Sequence, residues 1–519
     1  MKKIAGVLLL GFAFCCVSFK GDHIDSPDIN TILKIKDEGF NNSKVMESLF
    51  NLTDANGPRL TGSTGMKNAE KWASQQLKEW GLGNVAIEPW GGFGKGWETK
   101  KAYLAMTAPY YQQLVCVPKA WTPGTHGLIK GDAMIVKIDS VKDFEKYKGK
   151  LRGKIVIMSS ANAYELKLNF TADAKRLSDE DLQKTAYDTH LDDATANTNP
   201  HVKAPVGRPV NTLRPLIDSF LISEGASAIL SGGRGTMGTV FTSNGASRAW
   251  NAKPVLPEFE MGAEHIDRLI RLLDADKKVS LEMEADNIFL TADSVEYNVV
   301  AEIPGTDPDL KNELVMLGAH MDSWHAATGT TDNGTGSVVA LEAIRILKTI
   351  GVAPRRTIRL ILWSGEEQGL LGSRGYVKKH FGDKTTMNFK SDYYKVSAYF
   401  NLDNGGGKIR GIYCQSNDAV RPVFEAWLQP FKDLGASTVT PRNTGSTDHI
   451  SFDEIGIPGF QFIQDPLEYG SRSHHTNMDT YERVNSNDLM QASVIMASFV
   501  YNTAMRDEKL PRKAKPKKP

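Results

Sequence analysis

The stretch WSGEEQGLLGS, Trp363 to Ser373, sets Glu366 beside Glu367 just after the apolar run TIRLILW. Two adjacent carboxylates at the end of a buried strand are costly unless a cation neutralises them. Neighbouring residues in extended or tightly turning backbone point in different directions. One of the pair can therefore bind a metal while the other takes a proton from water held on it. Groups of matching chemistry follow other apolar runs. His320-Met321-Asp322 comes after ELVMLGA, Asp403 follows the run VSAYFNL, and GIPGFQFI leads to SHHTNMDTYERV with His474 and His475. TTDNGTGS places Asp332 twelve residues after His320, immediately before a helix. Two histidines with three or four carboxylates suit a divalent metal, zinc most naturally. Asp322, two residues beyond His320, suits the task of fixing the imidazole tautomer.

The elements that must position these groups read as strands and helices in alternation. VVAEI, ELVMLGA, TIRLILW, VSAYFNL and GIPGFQFI are apolar runs of strand length, separated by helical segments such as SVVALEAIRILKTI. That pattern predicts an α/β fold with a mixed, mostly parallel central sheet and helices on both faces. In such sheets ligand groups gather just past the carboxyl ends of the strands, where the residues above fall. Upstream, Ser26 to Leu82 reads helical. NAEKWASQQLKEW carries Trp72, Leu77 and Trp80 at helical spacing and stops at Gly81, and DANGPRLTGS before it is a turn. From about 124 to 284 the rhythm changes to a smaller α/β unit, with strands in DAMIVKI and GKIVIM. LIDSFLISEGASAILS there reads as a helix stopped at Gly225 and then a strand. A polar stretch within it, Ala161 to Pro209, has little periodicity and reads as an insertion loop.

The chain has 519 residues, 62 basic against 61 acidic. Six of the positives lie in the last eleven residues, KLPRKAKPKKP, so the rest is near −5 and gives no reason to expect nucleic acid. Lys2 and Lys3 followed by eleven apolar residues, Ile4 to Phe14, read as a secretory signal peptide over 1–18, too short to span a bilayer. Cys15 and Cys16 follow residues that fit a lipobox poorly. No later stretch is apolar for long enough to cross a membrane, so an exported protein, periplasmic or extracellular, is expected. Cys116 and Cys414 alone remain after the signal, and are expected free rather than bridged.

As an ordered set, HMD, DNGTGS, WSGEEQGLLGS, NLD, TGSTDH and HHTNMDT resemble the co-catalytic di-zinc exopeptidases, which include bacterial leucyl aminopeptidases and plasma glutamate carboxypeptidase. The resemblance implies two Zn2+ ions and short peptide substrates. It implies His320 and Asp403 on one metal, Glu367 and His475 on the other, and Asp332 between them. Glu366 would be the general base, Asp322 would orient His320, and His474 would face the substrate carbonyl. GKIVIMSS and EGASAILSGG resemble the protease-associated domain. The implied division is catalytic domain over 19–123 and 289–505, insertion over 124–288, and a basic, disordered tail over 506–519. A receptor-like binding homologue and a single-zinc glutaminyl cyclase share the fold as alternatives. A terminal substrate carboxylate would need a cation, for which Arg442 and Arg472 are placed by sequence beside the motifs.

Overall fold

The computed structural model describes residues 26–158, 172–188, 213–232, 234–242 and 244–514. The expected signal peptide with Cys15 and Cys16, and the parts of the polar stretch at 161–171 and 189–209, lie outside the described residues. Eight strands make the main sheet: β1 Gly83–Gly92, β2 Val295–Ile303, β3 Leu314–His320, β4 Thr357–Trp363, β5 Val396–Asn401, β6 Ile409–Tyr413, β7 Thr438–Thr440 and β8 Gly459–Gln464. Their spatial order is β1-β2-β4-β3-β5-β8-β6-β7. The centre, β4-β3-β5-β8, is parallel, as is the β6-β7 pair. β1-β2, β2-β4 and β8-β6 are antiparallel, so the sheet is mixed and mostly parallel, as the alternation predicted.

Successive residues on a strand face opposite sides. Val315 and Leu317 of β3 therefore pack with Leu49, Leu77, Val338 and Val494 from helices Val45–Leu52, Thr64–Glu79, Thr335–Thr349 and Ser486–Met505. Leu314 and Met316 pack on the other face with Tyr376, Val377 and Phe452, from helices Leu371–His380 and His449–Asp453. Both faces are covered, which is why the strands read as unbroken apolar runs. Each fully buried side chain of this size stabilises the fold by roughly 1.5–3 kcal/mol. The sheet also needs close approach. A Cβ on Gly318 in β3 would lie 2.0 Å from the Ile361 carbonyl oxygen of β4.

A second eight-stranded sheet, with its own core of residues such as Ile155, Leu230, Phe259 and Met283, begins at Gly96 and ends at Leu290. The expected boundary at 124 therefore falls inside this unit. Its long strands Gly96–Ala108 and Ser280–Leu290 pair antiparallel along their length and are mixed polar and apolar, which hides them from a search for apolar runs. Within the polar stretch, residues 172–188 form a strap on the main body rather than an unstructured loop. Helix Asp179–Tyr187 is opened by a Ser178–Asp181 capping box, and Arg176 pairs with Asp465 and Asp488. The tail is also docked as far as it is described. Leu510 is buried, Arg512 donates to the Tyr393 and Val396 carbonyls, and Lys513 pairs with Asp453. Its basic groups find carbonyl and carboxylate acceptors at strand ends, so positive charge there does not mean a solvated tail. Cys116 and Cys414 are free, as expected. Among the described residues no helix is long and apolar enough to cross a membrane.

Candidate metal centre

The candidate ligands converge past the carboxyl ends of β3, β4 and β5. His320 is the last residue of β3 and is buried. Its Nδ1 meets the Asp322 main-chain carbonyl at 3.0 Å, while the Asp322 carboxylate is 3.5 Å away. Asp332 sits in the turn that opens helix Thr335–Thr349. Thr331 N and Asp332 N donate to the two oxygens of Asp479, at 2.6 and 3.0 Å. The glycines of DNGTGS allow that turn to press on the neighbouring loop. A Cβ on Gly336 would lie 2.1 Å from the Leu402 carbonyl oxygen. After β4, the main-chain N–H groups of Glu366 and Glu367 each donate to an Asp322 carboxylate oxygen at 3.3 Å. Thr61 Oγ1 donates to the same carboxylate at 2.9 Å and accepts from Gly365 N at 3.1 Å. The closer service of the Asp322 carboxylate is thus to the backbone carrying both glutamates.

The geometry is that of two donor sets sharing one carboxylate. His320 Nε2 lies 3.5 Å from Asp332 Oδ1 and 3.4 Å from Asp403 Oδ1. His475 Nε2 lies 3.2 Å from Asp332 Oδ2 and 2.8 Å from Glu367 Oε2. Glu366 Oε2 stands 3.8 Å from His320 Nε2, on the side of the first set. His474 stacks on His475 with ring centroids 3.9 Å apart, and its Nε2 is 3.8 Å from Asp332 Oδ2. Donors bound tetrahedrally to zinc at about 2.0–2.1 Å are about 3.3 Å from one another, which matches most of these separations.

His320 Nε2, Asp332 Oδ2 and Glu367 Oε1 are buried without a hydrogen-bond partner among the described residues. Burial, with Asp403, Asp448 and Glu367 nearby, pushes the Glu366 carboxyl well above the carboxylate range against the pull of His320. Glu367 is raised likewise by burial and by Asp332. Burial disfavours a charged His320, yet Asp403 and Glu366 raise it well above the usual imidazole range. A site that must hold protons to relieve crowded carboxylates, while leaving ligand atoms without partners, fits divalent cations.

Other residues here were not singled out in the sequence. Arg59 is fully buried and donates to the carbonyls of Met321, Thr328 and Gly329 at 2.6, 2.5 and 2.7 Å, tying together the loop between His320 and Asp332. Burial lowers its pKa to about 10, while Asp479, Asp322 and Asp332 hold it up. Asp448 of TGSTDH is buried with both carboxylate oxygens without a hydrogen-bond partner, and burial pushes it to about 7. Asp448 and Asp479 stand inside motifs already picked out, and that position was the available signal. Arg59 had only its place in a Gly/Pro turn. The two arginines proposed for a substrate carboxylate are engaged elsewhere. Arg472 pairs with Asp173 at 2.6 Å and donates to the Thr236 carbonyl and Thr239, and Arg442 pairs with Asp188 at 3.1 Å. Both aspartates come from the strap, whose charges a sequence reading had no means of pairing.

A mixed sheet whose loops gather imidazoles and carboxylates at one point is the architecture of an α/β metallopeptidase. Residues 298–500 match the model of peptidase family M28. It is similar to carboxypeptidase Q of Mus musculus, 24% identical over 93% of this chain and 90% of the relative. It is also similar to aminopeptidase YwaD of Bacillus subtilis, 33% identical over 39% of this chain and 44% of the relative. Among solved structures, a peptidase M28 precursor from Shewanella amazonensis aligns with TM-score 0.66 and 24% identity, covering 94% of this chain and 98% of that one. The zinc aminopeptidase BSAP of Bacillus subtilis aligns with TM-score 0.56 and 20% identity, covering 90% and 96%.

Proposed function

We propose that the protein is an exported exopeptidase that removes terminal residues from short peptides and holds two zinc ions. The observation that carries this reading is Asp332, whose two carboxylate oxygens face two different imidazoles, His320 and His475. Asp332, His320 and Asp403 would hold one ion, and Asp332, His475 and Glu367 the other. Bound zinc supplies Lewis acidity, bringing the pKa of water towards about 7 and polarising a carbonyl. Glu366, left outside both sets, accepts the proton of the attacking water and returns it to the leaving amine. His474, whose pKa burial and His475 pull down to about 3, is a neutral imidazole with one N–H to offer the carbonyl oxygen. Asp322 holds the Glu366–Glu367 backbone from behind. Relatives named as a carboxypeptidase and as an aminopeptidase support exopeptidase action in general and leave the end open. The second α/β unit is read as protease-associated-like, and export rests on the N-terminal sequence. A competent residue at every ligand position speaks against the receptor-like and single-zinc alternatives.

The test is Glu366→Gln, with metal content read by atomic spectroscopy and hydrolysis of dipeptides by steady-state kinetics. The expected result is unchanged metal content and a kcat lower by about 10²–10⁴-fold. A variant within tenfold of the wild type removes Glu366 from the role of base.

A further inference from the structure

The loop that carries His474 and His475 starts at Asp465, just past β8, and contains one irregular helical turn, Tyr469–Ser473. His475 within it has φ 59°, in the left-handed region, which a residue with a side chain keeps only where its surroundings impose it. Those surroundings come from the second α/β unit, on two sides. On one side the strap runs antiparallel to the loop. Leu177 N donates to Asp465 Oδ1 at 2.9 Å, Lys175 N donates to the Leu467 carbonyl at 3.1 Å, and Asp173 pairs with Arg472. On the other side, Val240 exchanges bonds with Asn477, and Thr242 N donates to the carbonyl of His475 itself at 2.8 Å.

Arg472 joins the two sides. Its buried guanidinium reaches Asp173 Oδ2 with Nε at 2.7 Å and Nη2 at 2.6 Å, and its Nη1 donates to the Thr236 carbonyl at 2.6 Å and Thr239 Oγ1 at 3.0 Å. Its own carbonyl accepts from Thr476 Oγ1, which closes the turn around the two histidines. The next residue, Ser473, accepts from Thr331 Oγ1 at 2.7 Å, beside Asp332. A rigid planar fork can serve acceptors from two segments at fixed angles, which a flexible ammonium cannot. We propose that Arg472 is a positioning residue: it ties the second α/β unit and its strap to the histidine turn, and through that tie this unit sets His475 as a metal ligand. His320 and Asp403 stand at or just past the ends of β3 and β5, so the tie acts on one donor set and spares the other. This rests on the two-metal peptidase reading above and adds which part of the chain completes the site of His475 and Glu367.

The test measures Co2+ binding, by chelator competition and visible absorption, and dipeptide hydrolysis by the zinc-loaded enzyme. The proteins are the wild type, Arg472→Gln, Arg472→Lys and Asp173→Asn. Arg472→Gln should weaken one of the two Co2+ sites by about 10- to 100-fold, the scale of losing a partner that orients a ligand, and leave the other within about threefold. The absorption it loses should be the one that His475→Ala abolishes, a selectivity that a merely structural role would not produce. At saturating zinc, kcat should fall about 10²-fold with KM little changed, as for a group displaced by about 1 Å. Asp173→Asn exchanges a charge-assisted bond for a neutral one and should weaken the same site about fivefold. Arg472→Lys keeps the charge without the fork and should fall between the wild type and Arg472→Gln. Equal weakening of both sites in Arg472→Gln, or of neither, overturns the proposal. If that variant does not fold, Asp173→Asn decides by the same criterion. A wild type that binds two ions and hydrolyses no dipeptide overturns the peptidase reading, while the metal affinities still decide the role of Arg472. A wild type that takes up fewer than two ions overturns both.

Discussion

Asp322 offers the sharpest test of how the centre is held. Its buried carboxylate accepts from Glu366 N and Glu367 N at 3.3 Å each and from Thr61 Oγ1 at 2.9 Å. Asp322→Asn keeps the shape but turns an amide NH2 group towards one of these donors. At least one charge-assisted bond is lost, about 1.5–3 kcal/mol, and a buried N–H is left without an acceptor. Because the proposed base and a proposed ligand are consecutive residues on that backbone, the shift reaches both. A displacement of about 1 Å costs on the order of 10²-fold in rate, and loss of an outer partner costs about 10–100-fold in metal affinity. We therefore expect kcat to fall about 10²-fold at saturating zinc, and zinc affinity by chelator competition to fall at least tenfold. Thr61→Val, which removes one donor to Asp322 and the acceptor of Gly365 N, should reproduce a smaller part of both losses. A kcat within threefold and unchanged affinity in Asp322→Asn would refute this account of the carboxylate. A silent Thr61→Val with a crippled Asp322→Asn would assign Asp322 to the His320 ring instead.

Two further outcomes follow from buried charge. Chelation should lower the melting temperature reversibly, with stability recovered as RT ln(1 + [Zn]/Kd), about 4 kcal/mol at a thousandfold excess over Kd; a melting temperature indifferent to chelation and zinc would refute it. Glu260 is buried, with Oε2 lacking a hydrogen-bond partner, and burial raises its pKa from 4.5 to about 8. The group is protonated in both states below 4.5, while between 4.5 and 8 the unfolded chain gives up its proton first, so folding stability falls as pH rises and levels off above 8. Glu260→Gln should match the wild type near pH 4 and exceed it by roughly 4 kcal/mol at pH 8 in urea unfolding, at about 1.4 kcal/mol per unit. Equal stability at pH 8 would contradict it.

Much of the main sheet and of the group of candidate ligands was legible in the sequence. β3, β4, β5 and β8 are buried on both faces, so they announce themselves as continuous apolar runs, and the groups after them are of one chemistry. What escaped notice shares a physical cause. The strands Gly96–Ala108 and Ser280–Leu290 have a half-polar surface, so neither length nor apolarity marks them. Helix Ser486–Met505 is buried on almost every side and so carries no amphipathic stripe. Arg59 matters through three carbonyls more than 260 positions away, and nothing local to it reports that.

The sequence by itself determined the element types of the main sheet and the set of groups able to ligate a metal, because both depend on local periodicity and residue chemistry. The tertiary structure decided which oxygen of Asp332 faces which imidazole and that Asp322 serves the backbone of Glu366 and Glu367. It also decided that Arg442 and Arg472 are tied to the strap. Those outcomes are pairings between residues far apart in the chain, fixed by packing and charge neutralisation across space.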